Sequence, residues 1–296
     1  MATSRRLRSK GKGNLPGHFP RCLADRDRSY RGFNPGAKAG EHPPVQKGIA
    51  WWNDAIDTGP VWPHGYNTPD IICHLSATPA QRHARVSAGS DVKFHWNQFH
   101  PSHHGPIINY MAKCPGSCAK VDKTQLEFFK VSETGLESPE PSPGTWATDD
   151  MRDKQDLSWT VQVPPTLAPG NYVLRHELIA LHDADKPDHA QNYPQCINLK
   201  VTGTGTDVPP GIPATKFYKP TDPGIFISIW WPRVVKYIIP GPPLCDSLKH
   251  PMVVRSAADE SMVGAGLKNL FRKLKRGLMS LGASKEERDH PRDLVM

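Results

Sequence analysis

The chain has 296 residues, enough for one large domain or two smaller ones with a genuine core. Its 31 prolines and 24 glycines argue against a mainly helical protein, and 22% charged residues argues against wholesale disorder. Of 37 Lys and Arg and 29 Asp and Glu, Pro44–Cys245 holds 17 and 19, so the flanks hold 20 and 10; the near-neutral centre offers no basic face for nucleic acid.

Residues 1–42 are polar, basic and aperiodic, which predicts a disordered segment. Basic residues open the chain, but no apolar run of about 7–15 residues follows them, so no secretory signal peptide is expected. Gly48–Cys73 is rich in Trp, Gly and Pro, as suits an ordered loop region ending in a strand at Asp70–His74. Ser90–Gln98 then alternates Val92, Phe94 and Trp96 against Lys93, His95 and Asn97. Further strand patterns lie at Ile107–Ala112, Gln125–Val131, Leu157–Val163, Tyr172–Leu181, Gln195–Val201 and Gly224–Trp230. Period two with turn residues between the runs predicts an all-β protein, an immunoglobulin-like antiparallel β-sandwich with long loops. Beyond Cys245 the pattern changes: Val263, Leu267, Leu270, Phe271, Leu274, Leu278 and Leu281 follow helical spacing among Lys268, Arg272, Lys273, Lys275 and Arg276. This predicts a basic amphipathic C-terminal helix over 263–281, within a tail at 246–296. Such a helix suits a membrane surface or a partner, or is a passive appendage; it is too charged to span a bilayer. The sandwich itself is expected over 43–245.

Six cysteines (22, 73, 114, 118, 196 and 245) in a strand-rich chain favour disulfides. Cys114 and Cys118 alone would also suit a metal pair, but no second closely spaced pair completes a four-thiolate zinc site. Fourteen histidines include the run His95, His100, His103 and His104. His176 and His182, six apart on one predicted strand, share a face if that strand is regular. Imidazole-rich loops near a tyrosine suit copper or zinc.

Five motifs then appear in series: PDIICH (69–74), SHHGPIINYMAKC (102–114), GNYVLRHELIALH (170–182), AQNYPQCINLKVTG (190–203) and DPGIFISIW with YIIPGP (222–230 and 237–242). Together they resemble the fungal lytic polysaccharide monooxygenases of auxiliary activity family 9, formerly glycoside hydrolase family 61. The resemblance implies a secreted copper enzyme that oxidatively cleaves β-1,4-glucan (cellulose), using O₂ or H₂O₂ and an external electron donor. It implies one copper ion held by the mature amino-terminal histidine and by His103, with His104 as runner-up, and with Tyr193 as axial ligand. His182 and Gln191 match the pair beside bound oxygen species, and Tyr237 matches a substrate-face tyrosine. Trp51, Trp62 and Tyr66 lie in a loop that suits the same face. The family's disulfides map onto Cys73–Cys196 and Cys114–Cys118, leaving Cys22 and Cys245 over.

One departure stands out. Family members begin with His followed by a strand, whereas the visible resemblance here starts near Pro43, and His18 and His42 are not terminal. The expectation is therefore a monomeric chain with its amino-terminal His and one edge strand missing, as a faulty gene model would produce, and with impaired activity. The alternative is a non-catalytic polysaccharide-binding β-sandwich. Glycoside hydrolysis needs two placed carboxylates, and no such pair is evident.

Overall fold

The computed structural model describes residues 22–25, 48–55 and 59–245. The helix expected at 263–281 lies outside these residues, as does most of 1–42. The described part is a β-sandwich. Its smaller sheet has strands β1 (Cys22–Asp25), β3 (Asp91–Trp96) and β8 (Ser158–Gln162), in the order β1-β3-β8. The larger sheet runs β11 (Ile212–Pro213), β5 (Glu127–Thr134), β4 (Ile107–Lys113), β9 (Gly170–Ala180), β10 (Gln191–Thr202) and β2 (Ala84–Ser87). A short hairpin pairs β6 (Leu136–Ser138) with β7 (Thr145–Trp146), which leads into helix α2 (Ala147–Asp153).

Two expectations are corrected at the edges. The smaller sheet does not lack its outer strand, because Cys22–Asp25 pairs antiparallel with β3 from Cys22↔Trp96 to Asp25↔Lys93. The sandwich is also not purely antiparallel, since β2 joins β10 in parallel, Leu199 facing Ala84.

The smaller sheet follows its sequence pattern: Val92, Phe94 and Trp96 are buried, while Lys93 between them is exposed. In the larger sheet β4, β9 and β10 are buried almost throughout, because both faces are covered. Ile107, Met111, Tyr172, Leu174, Leu178, Ile197 and Leu199 pack with Phe94, Trp96 and Val161 of the smaller sheet. Ile108, Tyr110, Val173, Ile179 and Cys196 face the other way, onto Trp51, Tyr66, Ile71, Ile72 and Phe217 from loops and a short helix. Asp70–His74, expected as a strand, is that helix: α1 spans Asp70–Cys73. Gly224–Trp230, also expected as a strand, is turns and bends. Trp51 and Tyr66 are core residues rather than surface ones, donating to Asn198 Oδ1 (2.7 Å) and Asn192 Oδ1 (2.6 Å).

The second core holds polar groups, each with partners. Arg175 and Glu177 are fully buried on β9. The guanidinium pairs with both carboxylate oxygens (2.5 and 2.8 Å) and donates to the carbonyls of Ile72 and Ile71 (2.8 Å each), fastening β9 to α1. Disulfide Cys73–Cys196 ties the same helix to β10, and Cys114–Cys118 closes the loop after β4.

Candidate active site

Antiparallel order brings three distant segments to one end of the larger sheet. Ile107 at the start of β4 lies beside Leu178 near the end of β9, and Leu178 lies beside Tyr193 near the start of β10. The residues just outside these strands therefore meet: His103 before β4, His182 after β9, and Gln191 opening β10. The His103 and His182 rings are stacked, with centroids 4.5 Å apart and planes 18° apart. Tyr193 lies 6.0 Å from His103, also stacked, and Phe99 sits edge-on to both, at 5.2 and 5.7 Å. A cleft of about 570 Å³ opens over them, lined by Gly59, Pro60, Gln98, Phe99, His100, Pro101, His103, Gln191 and Tyr193. His182 follows Ala180 by two residues and lies beyond the strand, so it does not share a regular strand face with His176.

Electrostatics keeps this cluster neutral. Burial first, then the neighbouring imidazoles of His182, His100 and His104, lowers His103 to a pKa of about 3. Burial also lowers His182, against the pull of Asp183. Tyr193 is pushed above its ordinary range by burial, so its phenol stays protonated and donates to Gln191 Oε1 at 2.7 Å. Neither ring nitrogen of His103 has a hydrogen bond among the described residues, and buried His182 Nδ1 has no partner among them. Such a set suits a transition metal. An unprotonated imidazole with its one ring-nitrogen lone pair open is a ready ligand, and the phenol oxygen retains a lone pair beyond its bond to Gln191. Among the described residues no three His, Cys, Asp or Glu side chains group as metal ligands.

His104 is not interchangeable with His103. Its ring turns away, and Nδ1 lies 2.9 and 3.0 Å from the two oxygens of Asp149 on α2. Helix α2 was missed in the sequence, although acidic Asp149 and Asp150 early and Arg152 late in the segment are start and stop signals. Tyr237 is half-buried, edge-on to Trp146 at 4.8 Å, and its hydroxyl donates to the Gly224 carbonyl at 2.6 Å. The exposed aromatics beside the site are Trp230 and Trp231, 44% and 81% exposed. Trp230 Nε1 donates to the His182 carbonyl (2.8 Å), and its ring meets His104 edge-on at 5.8 Å. With Glu140, Pro141, Ser142, Arg233 and Val235 these two tryptophans line a second, shallower groove of about 620 Å³.

Comparison with known proteins carries the same pattern. The sequence model of Auxiliary Activity family 9 (formerly GH61) matches residues 17–237. The chain belongs to Auxiliary Activity family 9. It is 56% identical over 196 residues to AA9 family lytic polysaccharide monooxygenase A of Thermoascus aurantiacus, a match covering 66% of this chain and 85% of that protein. Against the monooxygenase A of Malbranchea cinnamomea identity is 50% over 196 residues; this match covers 66% of the chain but only 58% of that longer relative. Among solved structures, the extended catalytic domain of LPMO9A from H. jecorina superposes with a TM-score of 0.65 at 46% identity, covering 71% of this chain and 83% of that one. A cellulose-active polysaccharide monooxygenase from M. thermophila gives a TM-score of 0.58 at 32% identity, covering 73% and 91%. The chain is thus a lytic polysaccharide monooxygenase of this family, a class that degrades polysaccharides oxidatively. The family match opens at residue 17, well upstream of Pro43, and takes in both His18 and strand β1.

Proposed function

We propose that the chain cleaves β-1,4-glucan, cellulose first among them, by copper-dependent oxidation. The observation that carries this reading is the stacked His103–His182 pair beside Tyr193, with His103, Gln191 and Tyr193 lining one cleft. His103 and Tyr193 would hold the copper. Bound copper supplies activation of O₂ or H₂O₂ toward a sugar C–H bond, with electrons from an external donor. The protein's own part is to keep both imidazoles unprotonated, exclude water from one side with Phe99, and orient small oxygen species. For the last task Gln191 offers an amide and His182 a ring nitrogen. By the family resemblance, the rest of the ligand set would come from a mature amino-terminal histidine.

The glucan would lie across the cleft mouth, stacking on the exposed Trp230 and Trp231 rather than on packed Tyr237. Two disulfides suit an oxidising, extracellular setting. Electron paramagnetic resonance during copper titration, paired with product analysis on cellulose, tests the proposal. The chain should give a tetragonal Cu(II) signal and release oxidised oligosaccharides, and His103→Ala should abolish both. Binding to cellulose with neither signal nor oxidised product would select the non-catalytic binding module instead.

A further inference from the structure

The loop that carries His103 is gripped from two sides. Strand β9 holds one side: Leu181 N donates to the His104 carbonyl (2.9 Å) and Ile179 N to the Pro106 carbonyl (3.2 Å). Gly105 lies so close to this strand that a Cβ would fall 1.9 Å from the Ile179 oxygen. This side sets His103 against His182, which follows Leu181 directly.

The other side is held by α2, and by its side chains more than its backbone. Thr148 Oγ1 accepts the Gly105 N–H (2.9 Å) and donates to the Gly105 carbonyl (3.2 Å), while Thr148 N donates to that same carbonyl at 3.2 Å. The Asp149 carboxylate takes the His104 ring and, through Oδ2, the Trp146 N–H (2.9 Å). Arg152 Nη1 lies 3.2 Å from Asp149 Oδ1 and donates to the Pro101 carbonyl at 2.9 Å. Three successive points of the loop (Pro101, His104 and Gly105) are therefore tied to a seven-residue helix that contributes nothing to the cleft itself. Asp149 and Thr148 are nearly or fully buried, so these bonds face little competition from water.

We propose that α2 is the positioning element of the site: Thr148 through Gly105, and Asp149 through His104, hold the His103 ring in register with His182 and Tyr193. A loop tied only to β9 keeps its main chain but is free to swing the segment from His100 to His103, on which the ring depends. Thr148 and Asp149 are positioning residues, not catalytic ones. The inference rests on the copper reading for its functional consequence, but its geometric content does not.

The test therefore uses two independent readouts on the full chain: the nuclear Overhauser contact between the His103 and His182 rings in copper-free protein, and Cu(II) affinity with its paramagnetic resonance spectrum. Thr148→Val removes the hydroxyl at nearly constant volume, Thr148→Ser keeps it, and His104→Ala releases Asp149 without removing the helix cap. Thr148→Val and His104→Ala should each lose the ring contact, weaken copper about 10- to 100-fold, as loss of outer hydrogen bonds to a ligand does, and broaden the spectrum. Thr148→Ser should restore both readouts. An intact ring contact in both disruptive variants, with copper affinity within about twofold of the parent, would overturn the proposal. If the parent chain takes up no copper, the proposed function fails, while the ring contact still decides the role of α2. Should Thr148→Val not fold, the His104→Ala arm carries the decision.

Discussion

Replacing Glu177 by Gln should destabilise the protein far more than a single-atom change suggests. Both its oxygens are committed: Oε1 accepts from Arg175 (2.8 Å) and Asn192 (2.9 Å), and Oε2 accepts from Arg175 (2.5 Å) and from the Tyr218 hydroxyl. Arg175 and Glu177 are both 0% exposed. The amide keeps one acceptor, turns a donor toward the guanidinium or toward Tyr218, and leaves Arg175 as a buried cation without a counter-charge. Breaking a buried pair from one side in this way costs about 3–5 kcal/mol. The favourable faces of Tyr110 and Phe217, 5.2 and 5.4 Å from the guanidinium carbon, offset only a small part of that loss. Urea unfolding of Glu177→Gln, Arg175→Met and the double variant measures it. The double variant should be less destabilised than the two single losses added, by about 2 kcal/mol or more, because it removes charge and counter-charge together. A Glu177→Gln loss under about 1 kcal/mol, or strict additivity, would refute the argument that this pair is a closed, desolvated unit.

Other outcomes follow from the same geometry. Gly105→Ala should cost about 1–3 kcal/mol or more, since the new Cβ must displace the β9 backbone at Ile179; a thermal melt like the parent's would contradict this. Opening Cys73–Cys196 by Cys→Ala at both positions should cost about 5 kcal/mol in the chain-entropy model, given a sequence separation of 123, as read by denaturant midpoints. Trp231→Ala should weaken binding to insoluble glucan several-fold without moving the melting temperature, because the ring is 81% exposed; unchanged binding in a pull-down would remove it from the substrate face. Burial lowers His176 to a pKa of about 3 from an ordinary 6.5. The unfolded chain therefore takes up this proton first as pH falls, and stability present above pH 6.5 is lost below it, at about 1.4 kcal/mol per unit until the folded group titrates. Between pH 6 and 4, roughly, the wild-type stability curve should be steeper than that of His176→Gln by this amount, and parallel curves would show that the ring is not held neutral.

The fold was legible where one face of a strand meets the core and the other meets water. That holds for β3, whose alternation survives intact from sequence to burial. It holds less well for β4, β9 and β10, which read as apolar runs because a second layer of loops and α1 covers the far face. Asp70–Cys73 misled for the related reason that a short buried run has no period of its own; one turn after Pro69 with Ile71, Ile72 and Cys73 all inward satisfies helix and strand templates alike. Strand β1 was hidden by the basic, broken sequence around it.

The site was legible in a different way. Apart from the family resemblance, nothing local distinguishes His103 from His104, since two adjacent imidazoles in a polar loop are equivalent until something claims one of them. The claim is made by Asp149, 45 residues along the chain, which takes the His104 ring and leaves that of His103 facing Tyr193. His103, His182 and Tyr193 are likewise joined only by register: a shift of one residue between β9 and β10 would turn Tyr193 to the opposite face of the sheet and take it out of the cleft. Register here is over-determined. Gly170–Ala180 pairs with Gln191–Val201 without a bulge, Cys196 is bonded to α1, and Asn192 is held by Glu177 and Tyr66 between Gln191 and Tyr193. The buried polar network and the disulfide thus act on function through one variable, the alignment of two long strands. Disruptions of either should move the His103–Tyr193 geometry and the stability together.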